Sequence, residues 1–241
     1  MKAPDQVTAV LWEGEFQTPL ENEVVRAERG GAGTVVAPTD LPLITIGKPE
    51  TWQLTELYSP SKMPAAIKAK LDTDDFYLIR FCCSLRTREK ESAIDFARFQ
   101  VDLKADKQGR QPIAFDLHPV FVNTELKRSV KVGLSPSVKF TEIEASIGGV
   151  DFGIEYTELQ PVISANGIGE ALPSWDFSST KSLRLQGVKC MHAVVRAAKG
   201  TSKGAATIDV SADVRVKGSL LSVLLRRNRK QLEQDLTVRL W

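Results

Sequence analysis

The segment Thr207–Lys217 limits what this chain can fold into more than any other stretch, because its apolar side chains recur at every second position. Ile208, Val210, Ala212, Val214 and Val216 share one parity, while Asp209, Ser211, Asp213, Arg215 and Lys217 take the other. Successive side chains of a strand point to opposite faces, so the pattern specifies a strand with one buried and one wet side. A helix would scatter the same apolar residues around its circumference.

The same alternation recurs along the chain. In Phe76–Arg86 one face carries Tyr77, Ile79, Phe81, Cys83 and Leu85; in Val150–Thr157 it carries Val150, Phe152, Ile154 and Tyr156. Val130, Val132 and Leu134 form a shorter example, Leu236, Val238 and Leu240 another, and Val7–Phe16 and Leu41–Ile46 are compatible with strands. Two segments change parity midway. Ile94 and Phe96 give way to Phe99, Val101 and Leu103, and Leu183 and Leu185 give way to Val188, Cys190, His192 and Val194. One inserted residue that flips the buried face is the signature of a β-bulge, which predicts bulges near Ala97–Arg98 and Gln186–Gly187.

Turn-forming clusters separate these segments: Asp106–Gly109, Gly148–Gly149, Ala165–Gly167 and Lys199–Gly204. Helical periodicity is scarce. Pro64–Leu71 suits one or two helical turns, since proline is tolerated where a helix starts, and Ser219–Leu232 reads equally as helix or as strand and turn. One-sided strands favour antiparallel over parallel pairing. The expected fold is therefore all-β, a predominantly antiparallel β-sandwich of about ten strands with long loops and at most one or two short helices, a distorted barrel being the alternative. Residues 1–241 read as a single domain, with the Gly- and Pro-rich stretch 18–40 as a long exposed loop region.

Composition narrows the function classes. The 241 residues include 42% hydrophobic and 26% charged residues, which is globular chemistry, and the formal net charge of +2 is a weak field for nucleic acid. No apolar run approaches the roughly 20 residues of a membrane-spanning helix, and residues 1–15 lack the pattern of a secretory signal. The expected compartment is cytoplasmic. The three cysteines, Cys82, Cys83 and Cys190, show no CxxC spacing and are not read as a disulfide framework; all fall in strands, where cysteine behaves as a small buried hydrophobe.

Candidate chemistry is sparse. His118 and His192 are the two histidines, and without an HxH, HExxH or Cys/His cluster both read as structural side chains. A nucleophilic triad would need His118 or His192 together with Ser135 or Ser137, brought close only by folding. The carboxylate pairs Asp209/Asp213, Asp151/Glu155 and Glu142/Glu144 read as solvent-side charge, and Arg29–Thr34 lacks the Lys–Ser/Thr ending of a phosphate loop. Aromatics lie near cations only at Phe99 with Arg98 and at Trp175 with Lys181 and Arg184, too few for a single-strand nucleic-acid groove. Trp175 is expected to seal one end of the sandwich, with its indole on a backbone acceptor.

The segment Leu220–Lys230 carries aliphatic residues that run directly into Arg226, Arg227, Arg229 and Lys230. These four cations are the candidate partner-binding residues. The expected function is a non-enzymatic protein-binding or assembly module of a multi-component intracellular system, with no cofactor and no metal. Its expected partner is another protein or a second copy of the chain; nucleic acid is disfavoured, and a membrane surface is the weaker option. The alternatives are a membrane-acting β-rich effector and a hydrolase whose site is assembled from distant residues.

Overall fold

The structure is a computed structural model that describes residues 9–15, 41–87, 92–105, 110–122, 162–180, 183–216, 219–224 and 236–241. Two antiparallel sheets pack face to face, as the alternating sequence requires. The first contains β1 (Val10–Glu15), β2 (Leu43–Gly47), β3 (Glu50–Gln53), β4 (Asp74–Arg86), β6 (Ile113–His118) and β10 (Gly187–Ala198). Its strand order is β1-β2-β4-β10-β6, with β3 also paired to β4. The second contains β5 (Ala93–Ala105), β7 (Phe121–Val122), β8 (Val162–Asn166), β9 (Ser174–Ser178), β11 (Gly204–Val216), β12 (Ser219–Leu224) and β13 (Thr237–Arg239). Its order is β12-β11-β5-β9-β8-β7, with β13 also paired to β11.

Each sheet contributes its apolar parity to one core. Tyr77, Ile79, Phe81, Cys83 and Leu85 of β4 face Phe99, Val101 and Leu103 of β5 and Ile208, Val210, Ala212 and Val214 of β11. Trp175 on β9 lies at the centre and not at an end: it is fully buried, with its ring centroid 6.3 Å from that of Phe81 and 6.4 Å from that of Phe99. Its indole N–H has no hydrogen-bond partner among the described residues, contrary to the expected backbone acceptor. Packing three large rings together fills volume more effectively than it satisfies one donor.

β2 and β3 both pair with β4 and form one line of chain broken at Lys48–Pro49. Proline lacks the N–H that a continuous ladder would need there. After this line come α1 (Leu54–Leu57) and α2 (Ala65–Lys68), each about one turn long. As expected, Pro64 starts the second; its carbonyl accepts from Ile67 N (3.0 Å) and Lys68 N (2.9 Å). The pair buries Leu54, Tyr58, Met63 and Ile67 against Phe76, Leu78 and Val194, on the side of the first sheet that faces away from the main core. The first sheet is thus covered on both faces over part of its length.

That double cover corrects the expectation for β10. Val188 and Cys190, assigned to the buried parity, are exposed, and it is Met191, Ala193 and Val195 that enter the main core. Parity cannot choose between two faces when both carry apolar residues. The expected bulge at Gln186–Gly187 is also absent: the register against β4 runs unbroken from Gly187 to Ala198, and Gly187 begins the strand with φ +82°. The phase change in β5 is real, but the extra residue sits slightly earlier, at Asp95, between Ile94 and Phe96 in the pairing with β11. A second bulge, at Phe115 in β6, was not foreseen. Ser219–Leu232 begins as a strand, β12; its remainder lies outside the described residues, as do Val130–Leu134, Val150–Thr157 and the stretch 18–40.

Along one edge the two sheets are laced together by residues 167–173. Val101 N and Leu103 N of β5 donate to Pro173 O (2.9 Å) and Ala171 O (2.8 Å). From the other side, Ala114 N of β6 donates to Glu170 O (2.8 Å), and Gly169 N donates to Ala114 O (2.7 Å). Gly167 begins this strap at φ +90°, and a Cβ there would lie 2.9 Å from Leu172 O, so glycine is required. At another margin Trp241 stacks on Tyr77, 4.3 Å between centroids, and its ring occupies the space that a Cβ on Gly204 would need.

Trp175→Ala should lower the unfolding free energy by about 3–5 kcal/mol, read from urea denaturation. Trp175→Phe should lose clearly less, because it keeps an aromatic ring in the cluster and removes the indole donor. Equal losses for the two variants would show that the ring is not what the core depends on.

Candidate functional site

Register, not sequence spacing, assembles the polar residues of the first sheet. On its outer face Glu50 of β3 lies opposite Arg80 of β4, Arg80 opposite His192 of β10, and His192 opposite His118 of β6. One row of four polar side chains therefore crosses four strands. Arg80 Nε donates to Glu50 Oε2 at 2.6 Å, and the guanidinium carbon stands 5.8 Å from the Trp52 ring centroid. The two imidazole rings are 6.2 Å apart between centroids.

The rows on either side differ in character. Towards the helices lie Trp52, Leu78 and Val194, next to Phe115, under the apolar cap of α1 and α2. In the other direction, Cys82 and Cys190 stand directly opposite each other and form a disulfide. This corrects the expectation that the cysteines do not pair. Cys82 and Cys190 are 108 residues apart, and only the antiparallel register of β4 and β10 makes them neighbours. Cys83 does follow the expectation of a buried hydrophobe: it is the free thiol, it faces the main core, and burial pushes its pKa up to about 12.

A trace of this site was present in the sequence. Arg80–Cys82 and Cys190–His192 are each separated by one residue, so antiparallel pairing that sets cysteine against cysteine also sets arginine against histidine. Nothing in either strand alone states that pairing.

Burial depresses the basicity of both imidazoles. His118 falls to about 4 through desolvation, and His192 falls to about 3 through desolvation, with His118 and Arg80 adding unfavourable charge. Both rings are neutral at pH 7. His192 is only 8% exposed and closed to a bulky substrate, whereas His118 is half-buried. Neutral imidazoles are competent metal ligands, yet among the described residues no three or more His, Cys, Asp or Glu side chains are grouped so as to hold a metal ion.

A second polar cluster sits at the start of β4. Asp75 accepts from Lys199 Nζ (2.8 Å) and from the backbone N–H of Gly200 (2.9 Å), which anchors the β10–β11 turn. Asp74 accepts from Thr73 Oγ1 (2.8 Å) and pairs with Arg110. With Asp116, which accepts from Leu117 N at 2.9 Å, these are buried carboxylates that alternation alone did not single out.

The other sequence candidates are dispersed. Asp209 and Asp213 occupy the outward parity of β11, half-buried. Arg98 makes a two-pronged contact with Asp176 (2.7 and 2.8 Å) on the outer face of the second sheet, while Phe99 points into the core, so the two do not form a base-stacking groove. Arg184 is exposed, and Trp175 is buried in the core. Arg226, Arg227, Arg229 and Lys230 lie outside the described residues, as do Ser135, Ser137, Glu142, Glu144, Asp151, Glu155, Lys181 and the segment Arg29–Thr34. Among the described residues no helix is long and apolar enough to cross a membrane.

In the unfolded chain both histidines take up protons near pH 6.5, whereas the folded forms resist until about pH 4 and about pH 3. The unfolded state then binds more protons, so stability is full above about pH 6.5 and falls as pH drops towards 4. Denaturant titrations across this range should show that decline, and the double variant His118→Gln/His192→Gln should flatten it. Asp75→Ala should remove about 1–3 kcal/mol of stability in the same assay at neutral pH, by stranding the Gly200 N–H. No protein-family model matches this chain, and no curated protein matches it.

Proposed function

We propose that the chain is a non-enzymatic protein-binding or assembly module. The observation that carries this reading is the strap 167–173 with its surroundings. Backbone hydrogen bonds hold it to both sheets, yet Ile168 and Leu172 are 50% and 46% exposed. Phe121, on β7, which pairs with the strand β8 that leads into the strap, is 56% exposed. A loop held rigidly by a sandwich loses little freedom on docking, and exposed apolar side chains on such a loop are a common means of recognition. The hydrolase reading is weaker, because His192 is buried and His118 is half-buried beside it.

A cytoplasmic location is part of the proposal, and the Cys82–Cys190 bond bears on it. Disulfides persist mainly in oxidising compartments. A cytoplasmic home requires that this bond open under a reducing thiol pool, a condition that can be measured directly.

The test is chemical crosslinking in the native host, followed by identification of the captured proteins, with wild type against Ile168→Asp/Leu172→Asp. A partner held by wild type and by a Val10→Asp control, but lost by the double variant at unchanged melting temperature, supports the module. Identical captures from all three proteins refute a role for this edge.

A further inference from the structure

We propose that Cys82–Cys190 is a thiol–disulfide exchange site whose substrate is a small accessible thiol, and that attack occurs at the Cys190 sulfur. The two cysteines differ in access: Cys190 is exposed, whereas Cys82 is half-buried. Val188, the next residue of β10 on the same face, is 57% exposed, so the approach to Cys190 lies over open sheet.

Three further observations define the chemistry. Opening the bond does not separate the strands, because the β4–β10 ladder continues on both sides, from Gly187 opposite Leu85 to Ala198 opposite Asp74. Exchange can therefore proceed in the folded protein. Next, Arg80 stands two residues from Cys82 on the same face, where its guanidinium favours the thiolate that leaves on Cys82; its pairing with Glu50 moderates the effect. Finally, the free thiol cannot supply the attack. Cys83 faces the main core, on the opposite side of β4 from Cys82, and burial keeps it protonated. The attacking thiol must come from outside.

An external thiolate RS⁻ bonds to Cys190 Sγ, the Cys190–Cys82 bond breaks, and its electron pair leaves on Cys82 Sγ, which takes a proton from water. A second RS⁻ attacks the R sulfur of the mixed disulfide, releasing the Cys190 thiolate and RSSR. Two thiols are oxidised by two electrons in total, and the protein disulfide is reduced by two.

Glutathione is the probe. Native protein is incubated with reduced glutathione, quenched with acid at intervals, alkylated and mapped by mass spectrometry. Wild type should lose the disulfide without denaturant. In a Cys83→Ser background, Cys82→Ser incubated with oxidised glutathione should accumulate the mixed disulfide at Cys190. Under the same conditions Cys190→Ser should react at Cys82 at least about tenfold more slowly, in keeping with its lower access. Circular dichroism of each variant confirms that the sheets are intact. A wild-type bond that opens only when denaturant unfolds the protein overturns the proposal, and this measurement needs no variant. Equal rates at Cys82 and Cys190 in folded single variants overturn the assignment of the attacked sulfur. If exchange occurs but the strap variants bind as wild type does, the binding reading fails and this one stands.

Discussion

The pairing of β4 with β10 is the interaction on which the remaining architecture rests. These two long strands occupy the middle of the first sheet, and their register decides which side chains reach the main core, which meet the helical cap and which remain at the surface. With Met191 opposite Phe81 and Ala193 opposite Ile79, both strands place apolar residues on the inner face together. A shift of one residue would turn each set to the wrong side of the sheet. Burial of rings such as Phe81, Phe99 and Trp175, each worth about 1.5–3 kcal/mol or more, opposes such a slip.

The same register creates the polar outer row. Once Cys82 meets Cys190, His192 must lie opposite Arg80, and the separate register of β10 against β6 brings His118 to its other side. The helical cap then removes water from one flank of that row and leaves the disulfide flank open. One face of one sheet thus holds a dry end, where imidazoles lose their protons, and an accessible end, where sulfur can react. Solvent exposure changes across a few rungs of a ladder whose backbone geometry hardly changes.

The second sheet differs because its outer face carries charged side chains such as Arg98, Asp102, Asp176, Asp209 and Arg215. Arg98 with Asp176 and Arg215 with Asp95 pair across neighbouring strands there, at positions where exposed ion pairs contribute at most about 1 kcal/mol. Its role is mainly to complete the core, and the strap 167–173 joins it to the first sheet along one edge. The C-terminal Leu236, Val238 and Leu240 close the packing on β11, as their alternation indicates.

Fold class was legible from residues such as Thr207–Lys217, because period two is a local property that one strand displays by itself. The turns at Ala165–Gly167 and Lys199–Gly204 and the helical turn after Pro64 were legible for the same reason: glycine and proline restrict their own backbone. Local signals failed where two faces competed, as at Val188 and Cys190, and where a partner was needed, as for the carboxylates of Asp74, Asp75 and Asp116. By itself the sequence determined a two-faced antiparallel sandwich. Only the tertiary structure decided that Cys82 bonds Cys190 and that the two histidines share a row, because alternation states which way a side chain points and never which strand lies beside it.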